Sequence, residues 1–148
     1  MDKALRSKVL AVLQGHHMMT LATVRPDGFP QATTVNYIHE GFNLYFATDA
    51  ASQKAGNIKI NNKVSVAIAR ETQNFYKLSG LSMSGLATRI WEKQKAQELS
   101  LKLFRALPQS KRFVPEDPQQ LAVFEIAPVV IALVDYASGF GTTYLIEL

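Results

Sequence analysis

Residues 44–69, LYFATDAASQKAGNIKINNKVSVAIA, place two β-type runs (44–48 and 63–69) on either side of a polar turn and a short helical stretch at about 50–61. A helix held between strands in so short a span admits a doubly wound sheet or a barrel with a helical insertion, but the turn lacks the glycine-rich fingerprint of a dinucleotide fold of the Rossmann type. It carries instead a hydroxyl at Thr48, another at Ser52 and an ammonium at Lys54. All three stand at the mouth of a helix whose first N–H groups have no partner within the helix, which outlines an anion site. The same residues also fit a plainer role, with Asp49 or Ser52 as N-cap and Lys54 solvated at the surface.

The rest of the chain favours the barrel. Residues 18–25 and 29–38 are strand-like and flank Pro26-Asp27-Gly28, where proline presets φ, aspartate bonds its own backbone and glycine accepts φ > 0. Residues 75–90 alternate and hold Gly80 and Gly85, which within a strand mark bulges or close approach. Residues 121–135 are β-branched and apolar around Pro128, and 142–147 read as a closing strand. Helical spacing occurs at 2–14, ended by Gly15, and at 91–107, where Leu99 and Leu103 share a stripe and Pro108 ends it. Six or seven short strands with two or three capping helices define a mainly β (α+β) barrel, and 148 residues make it one domain, 1–148.

Composition narrows the chemistry. The absence of cysteine removes disulfides, thiolate catalysis and cysteine metal sites, and fits a cytoplasmic protein. No apolar run approaches a membrane span, and the N-terminus lacks a signal-peptide core. The net charge of +4 is spread along the chain, which suits anionic small molecules better than nucleic acid. His16 and His17 point to opposite strand faces and His39 stands apart, so no metal site is expected. No G-x-S-x-G elbow is present, since position 84 is Ser, and with no obvious histidine and acid partner this argues against a serine hydrolase. In the strand 29–38, Gln31, Thr33, Val35 and Tyr37 share one face and Ala32, Thr34, Asn36 and Ile38 the other. Polar groups on both faces suit a sheet edge or a polar ligand.

The strand pair LATVRPDGFPQATTVNYI, the turn LYFATDAASQKAGNI and the β-rich FEIAPVVIALVDYASGFG together resemble the flavin-binding split β-barrels of the pyridoxamine 5'-phosphate oxidase-like family, over nearly the whole chain. The resemblance implies that Thr48, Ser52 and Lys54 hold the phosphate of flavin mononucleotide (FMN). It implies that Thr33, Thr34, Val35 and Asn36 run along the isoalloxazine ring. It implies a homodimer with flavin between subunits, where Tyr136, Phe140 and Trp91 of a partner are candidates to complete the site. The chain departs from the family oxidase in offering Thr33 or Thr34 where that enzyme has an arginine, and in ending YASGFGTTYLIEL without its arginine and histidine substrate signature. The expected function is therefore an FMN-dependent oxidoreductase acting on an unidentified small molecule other than vitamin B6, with NADH or NADPH as candidate donors and no catalytic side chain required. The alternative is a non-catalytic protein binding or sensing flavin, deazaflavin or haem on the same barrel. Neither nucleic acid nor a membrane is an expected partner.

Overall fold

The computed structural model describes residues 2–148. Helix α1 (Lys3–Gln14) is followed by β1 (Met18–Val24), β2 (Pro30–Asn36), β3 (Ile38–Glu40) and β4 (Asn43–Asp49). Then come α2 (Gln53–Ile60), β5 (Lys63–Ala69), β6 (Ser79–Arg89), α3 (Lys93–Ala106), β7 (Leu121–Asp135) and β8 (Thr143–Glu147). One antiparallel sheet runs in the order β2-β1-β5-β6-β7-β4-β3, with β8 added to β7. Because β2 and β3 lie at the two ends of that order yet are joined through Tyr37 alone, the sheet curls into a barrel that closes through one bent strand and stays open beside β2.

The expected single strand at 29–38 is thus two strands. Tyr37 is 2% exposed and its hydroxyl donates to the Leu13 carbonyl oxygen at 2.8 Å, while its N–H donates to the His17 carbonyl oxygen at 2.9 Å. The first bond ties the Tyr37 side chain to α1, and the second extends the β1–β2 ladder by one residue, so the chain stays with β1 and out of line with β4. Two further expectations change in detail. Residues 75–77 form a 3-10 turn capped by the Asn74 side chain, so β6 begins only at Ser79. Gly15 ends α1 in right-handed backbone (φ −79), its N–H still bonded to Ala11, rather than in the left-handed cap that glycine often provides.

The strand period of two divides the sheet into two faces. Inward, Thr33, Leu21, Val66, Met83, Ile131 and Ile146 pair successively across six strands, and all but Thr33 are at most 5% exposed. Each such aliphatic side chain contributes about 1.5–3 kcal/mol on burial. Outward, Thr34, Thr20, Ala67, Ser82, Ala132 and Leu145 form the corresponding row. A parallel row runs Ala32, Ala22, Ser65, Ser84, Val130 and Glu147. This face is built of small side chains and a few exposed apolar ones, Leu145 at 72% among them. Gly80 and Gly85 let the strands approach: an added Cβ would lie 2.8 Å from the Ile68 carbonyl oxygen or 2.7 Å from that of Ala127. The register slips between Ser84 and Gly85, leaving Val129 as the extra residue of a bulge next to Pro128, which has no N–H to donate.

Helix α1 closes one end of the barrel with Val9, Val12 and Leu13. Lys8 Nζ bonds Asp135 Oδ2 at 2.9 Å, and that bond holds the Asp135 carboxyl below its ordinary value. Helix α2 seats through polar contacts. Asn57 is fully buried; its Nδ2 donates to Thr23 Oγ1 at 2.9 Å and to Gln31 Oε1 at 3.3 Å, and its Oδ1 accepts from Gln53 Nε2 at 2.8 Å. No described helix is long and apolar enough to cross a membrane. Replacing Asn57 by Leu leaves Thr23, Gln31 and Gln53 without their partner, so urea unfolding is expected to show a loss of about 2–4 kcal/mol. An unchanged midpoint would mean that the network contributes nothing to seating α2.

Candidate functional site

The turn between β4 and α2 is held by its own side chains. Asp49 Oδ1 accepts from the Ala51 N–H at 2.8 Å, and the Ser52 N–H donates to the Asp49 carbonyl oxygen at 3.0 Å. Ser52 then has the extended backbone of an N-cap, and its Oγ accepts from the Ala55 N–H at 3.3 Å. Of the two capping residues the sequence allows, the structure uses Ser52 for the helix and Asp49 for the turn. Helix α2 therefore begins at Gln53, three residues after the expected start.

Thr48, the penultimate residue of β4, comes within reach of this cap, with Thr48 Oγ1 and Ser52 Oγ 3.2 Å apart. Only one hydroxyl hydrogen can serve that contact, so the other is available to an outside acceptor. Lys54 stands half-buried on the first turn of α2 and takes part in none of the ion pairs among the described residues. The first-turn N–H groups of Gln53 and Lys54 complete the donor set at the positive end of the helix. Two hydroxyls, an ammonium and free helix amides are the chemistry that a phosphate monoester requires.

The second half of the site follows from the break at Tyr37. Strand β3 pairs with β4 as Ile38 with Tyr45 and Glu40 with Asn43, and continuing that register would set Val35 opposite Thr48. Instead β2 leaves β4 and pairs only with β1, so the main-chain groups along its other edge have no strand partner. Residues 33–36 thus flank an open split whose opposite side, β4, carries Thr48. Asn57 bridges α2 to β2 through Gln31, fixing the donor set beside the split.

The four β2 candidates divide by face. Thr34 is exposed and shares the outer face with Asn36, whereas Thr33 and Val35 turn inward beside Met19 and Leu21. The Thr33 Oγ1 atom is buried with no hydrogen-bond partner. A ligand on the outer face can meet the side chains of Thr34 and Asn36 but only the backbone of Thr33 and Val35. The Tyr136 and Phe140 rings meet tilted at 51°, with centroids 5.3 Å apart, at the far end of β7. Since Ala122 near the start of β7 pairs with Thr48, these aromatics lie roughly 45 Å of strand path from the donor set, at about 3.3 Å per residue. One chain does not bring them together with Lys54.

Two buried tyrosines are held far from the neutral range. Tyr37 is pushed up to about 12 by burial. Tyr45 is likewise pushed up to about 12, first by burial and then by its bond to Glu125 Oε2 at 2.8 Å. His16 is tied through Nδ1 to the Val12 carbonyl oxygen at 2.7 Å and His39 to that of Gly41 at 3.0 Å. No group of three metal-ligating side chains occurs among the described residues. Sequence reasoning missed Asn57, Gln31 and Gln53, although an asparagine between Ala55 and Ile58 on the buried stripe of a short helix is itself a signal of a satisfied internal polar contact.

The family model described as pyridoxamine 5'-phosphate oxidase matches residues 5–135. General stress protein 26 of Bacillus subtilis (strain 168) is 27% identical over 144 residues, 97% of this chain and 96% of that protein. The crystal structure of general stress protein 26 from Bacillus anthracis str. Sterne has a TM-score of 0.76 at 27% identity, covering 97% of this chain and 98% of that one. A haem-binding protein from Mycobacterium smegmatis shares the fold alone, with a TM-score of 0.81 at 17% identity over 99% of this chain and 59% of that one. A barrel split beside β2, a donor set at the start of α2 and a family match running from α1 to the end of β7 agree, and the chain belongs to the pyridoxamine 5'-phosphate oxidase family.

Proposed function

We propose that this protein binds FMN, with the phosphate on Thr48, Ser52 and Lys54 and the ring along β2, and that it is a flavin-dependent oxidoreductase acting on a small molecule. The carrying observation is the placement of a phosphate-type donor set beside an unpaired strand edge, because a flavin mononucleotide needs both: charge at one end and amide-like hydrogen bonding at the other. The residues present fit the group. Lys54 has no competing acid, one hydroxyl of the Thr48 and Ser52 pair is free to donate, and the open edge of β2 offers main-chain N–H and C=O groups.

When bound, FMN supplies hydride and electron transfer, which no side chain of this chain can perform. Lys54 and the α2 amides anchor its phosphate. The backbone of residues 33–36, with the side chains of Thr34 and Asn36, orients the ring and presents fixed dipoles to charge developing on it. These groups do not titrate near neutrality, so protons exchange with water or substrate rather than with a dedicated side chain. NADH or NADPH is the proposed donor. A deazaflavin could use the same edge, and a purely sensing role needs nothing further from these residues. A haem would need an axial ligand, and the three histidines offer His16 Nε2, buried and unpartnered, as the one observation in its favour.

Calorimetry with FMN and riboflavin tests the reading. FMN is expected to bind far more tightly, and Lys54→Ala to weaken it by about 1.5–3 kcal/mol, the scale of a charge-assisted hydrogen bond. Equal affinity for the two ligands would sink the assignment, since only the phosphorylated one can use the donor set.

The same reading includes a homodimer. The outer face combines small side chains with exposed Leu145, Val129 and Leu86, apolar groups that a monomer leaves in water. A second copy would also supply Tyr136 and Phe140, which one chain holds far from Lys54. Light scattering at micromolar concentration is expected to give twice the chain mass, and a monomeric mass would contradict this part of the proposal.

A further inference from the structure

A second region of the fold carries binding chemistry that the phosphate site does not use. Residues 107–120 return over α3 through two 3-10 turns, Pro108–Phe113 and Pro118–Gln120. Between them, α3 and the ends of β6 and β7 lies a cleft of about 1010 Å³, walled by Ile90, Leu101, Phe104, Val114 and Val123. A smaller cleft of about 420 Å³ lies against α2, and Arg89 and Trp91 line both. Neither cleft includes Thr48, Ser52 or Lys54.

The Arg89 guanidinium lies over the Trp91 indole at 3.9 Å from the ring centroid. Arg89 is half-buried and enters none of the ion pairs among the described residues. Stacking engages the face of a guanidinium and leaves its N–H donors, which lie in the plane, free for an acceptor. The indole also fixes the side chain, so less rotamer freedom is lost when an anion pairs with it. The remaining charges favour the same sign of ligand. Lys93 lines the larger cleft and Lys59 the smaller. The one acid lining either, Asp117, has its Oδ1 occupied by the Gln119 N–H at 2.9 Å.

We propose that this cleft is a second ligand site, distinct from the donor set of Thr48, Ser52 and Lys54 and not requiring that flavin reading, which takes a small amphipathic organic anion: a carboxylate head on Arg89 and an apolar body along Leu101, Phe104 and Val114. The apolar walls alone would accept a neutral body equally well. The unpaired guanidinium among them is what selects the charged form.

Trp91 is the only tryptophan in the chain, so its fluorescence reports this cleft directly. The experiment titrates the protein as purified with octanoate and with its uncharged analogue octanamide. Octanoate is expected to give a saturable change and to bind at least roughly tenfold more tightly than octanamide, the scale of one charge-assisted hydrogen bond. Arg89→Gln should abolish that preference. Leu101→Glu, at a position 53% exposed and therefore safe for folding, should weaken octanoate about tenfold or more by setting a carboxylate in the cleft. Lys95→Gln, on α3 but outside the cleft, should change nothing. No saturable response to octanoate, equal affinity for the two compounds, a preference that survives Arg89→Gln, or undiminished octanoate binding in Leu101→Glu would each overturn the proposal.

Discussion

The hydrogen bonds of Tyr37 determine where this barrel opens. A strand running straight from Pro30 to Glu40 in the register of β3 could pair residues 34–40 with the whole of β4 and close the cylinder there, leaving no split for a ligand. Tyr37 keeps the chain on β1, because its N–H meets His17 in continuation of that ladder and its hydroxyl is tied to Leu13 of α1 on the inner face. A buried tyrosine whose hydroxyl is paired is favourable, whereas the same ring with an unpaired hydroxyl would cost on the order of 1–3 kcal/mol, so the inward bond and the bend reinforce one another. The outcome is that β3 joins β4 and β2 does not. An unpaired strand edge is ordinarily a liability that proteins cover, and in the proposed flavin reading a planar ligand and then a second subunit would cover it and create the site together.

The same economy holds at the helix end. Ser52 serves as cap and as a neighbour of Thr48, and Asp49 folds the turn with one carboxylate oxygen. What remains uncommitted is positive: Lys54 and the first amides of α2. The helix that carries these groups is only eight residues long, too short to be stable by itself, and its place depends on Asn57 reaching into the barrel. A polar contact buried this deeply has a narrow range of geometries, unlike an apolar one, and so fixes where the donors stand relative to β2.

Much of this was legible in the sequence because it depends on local rules. The β-branched and apolar runs at 18–25, 63–69 and 121–135, the turn at Pro26-Asp27-Gly28 and the stripe of Leu99 and Leu103 are each local signals, and the strands and helix stand there to within a residue or two. Gly80 and Gly85 were readable as close approach or bulge because nothing but glycine fits the spacing that neighbouring strands require there. The break at Tyr37 was not readable, since β-branched and aromatic residues on either side of it favour an extended chain and the interaction that bends it comes from α1, more than twenty residues away. For the same reason the face on which each of Thr33 to Asn36 would lie was left open: both faces of that strand are polar, and only the pairing with β1 decides which looks inward. Thr48, Ser52 and Lys54 were readable as a group because one turn holds them. The link from Asn57 to Thr23 and Gln31 spans the fold and leaves no periodic trace.

A crystal structure of the protein with FMN tests the central claim most directly, because the claim is about position. The account expects the phosphate within hydrogen-bonding distance of Thr48 Oγ1, Ser52 Oγ and Lys54 Nζ, and the pyrimidine edge of the ring against the backbone of residues 33–36. A phosphate seated on Arg89 or in solvent, with the β2 edge left uncovered, would contradict it.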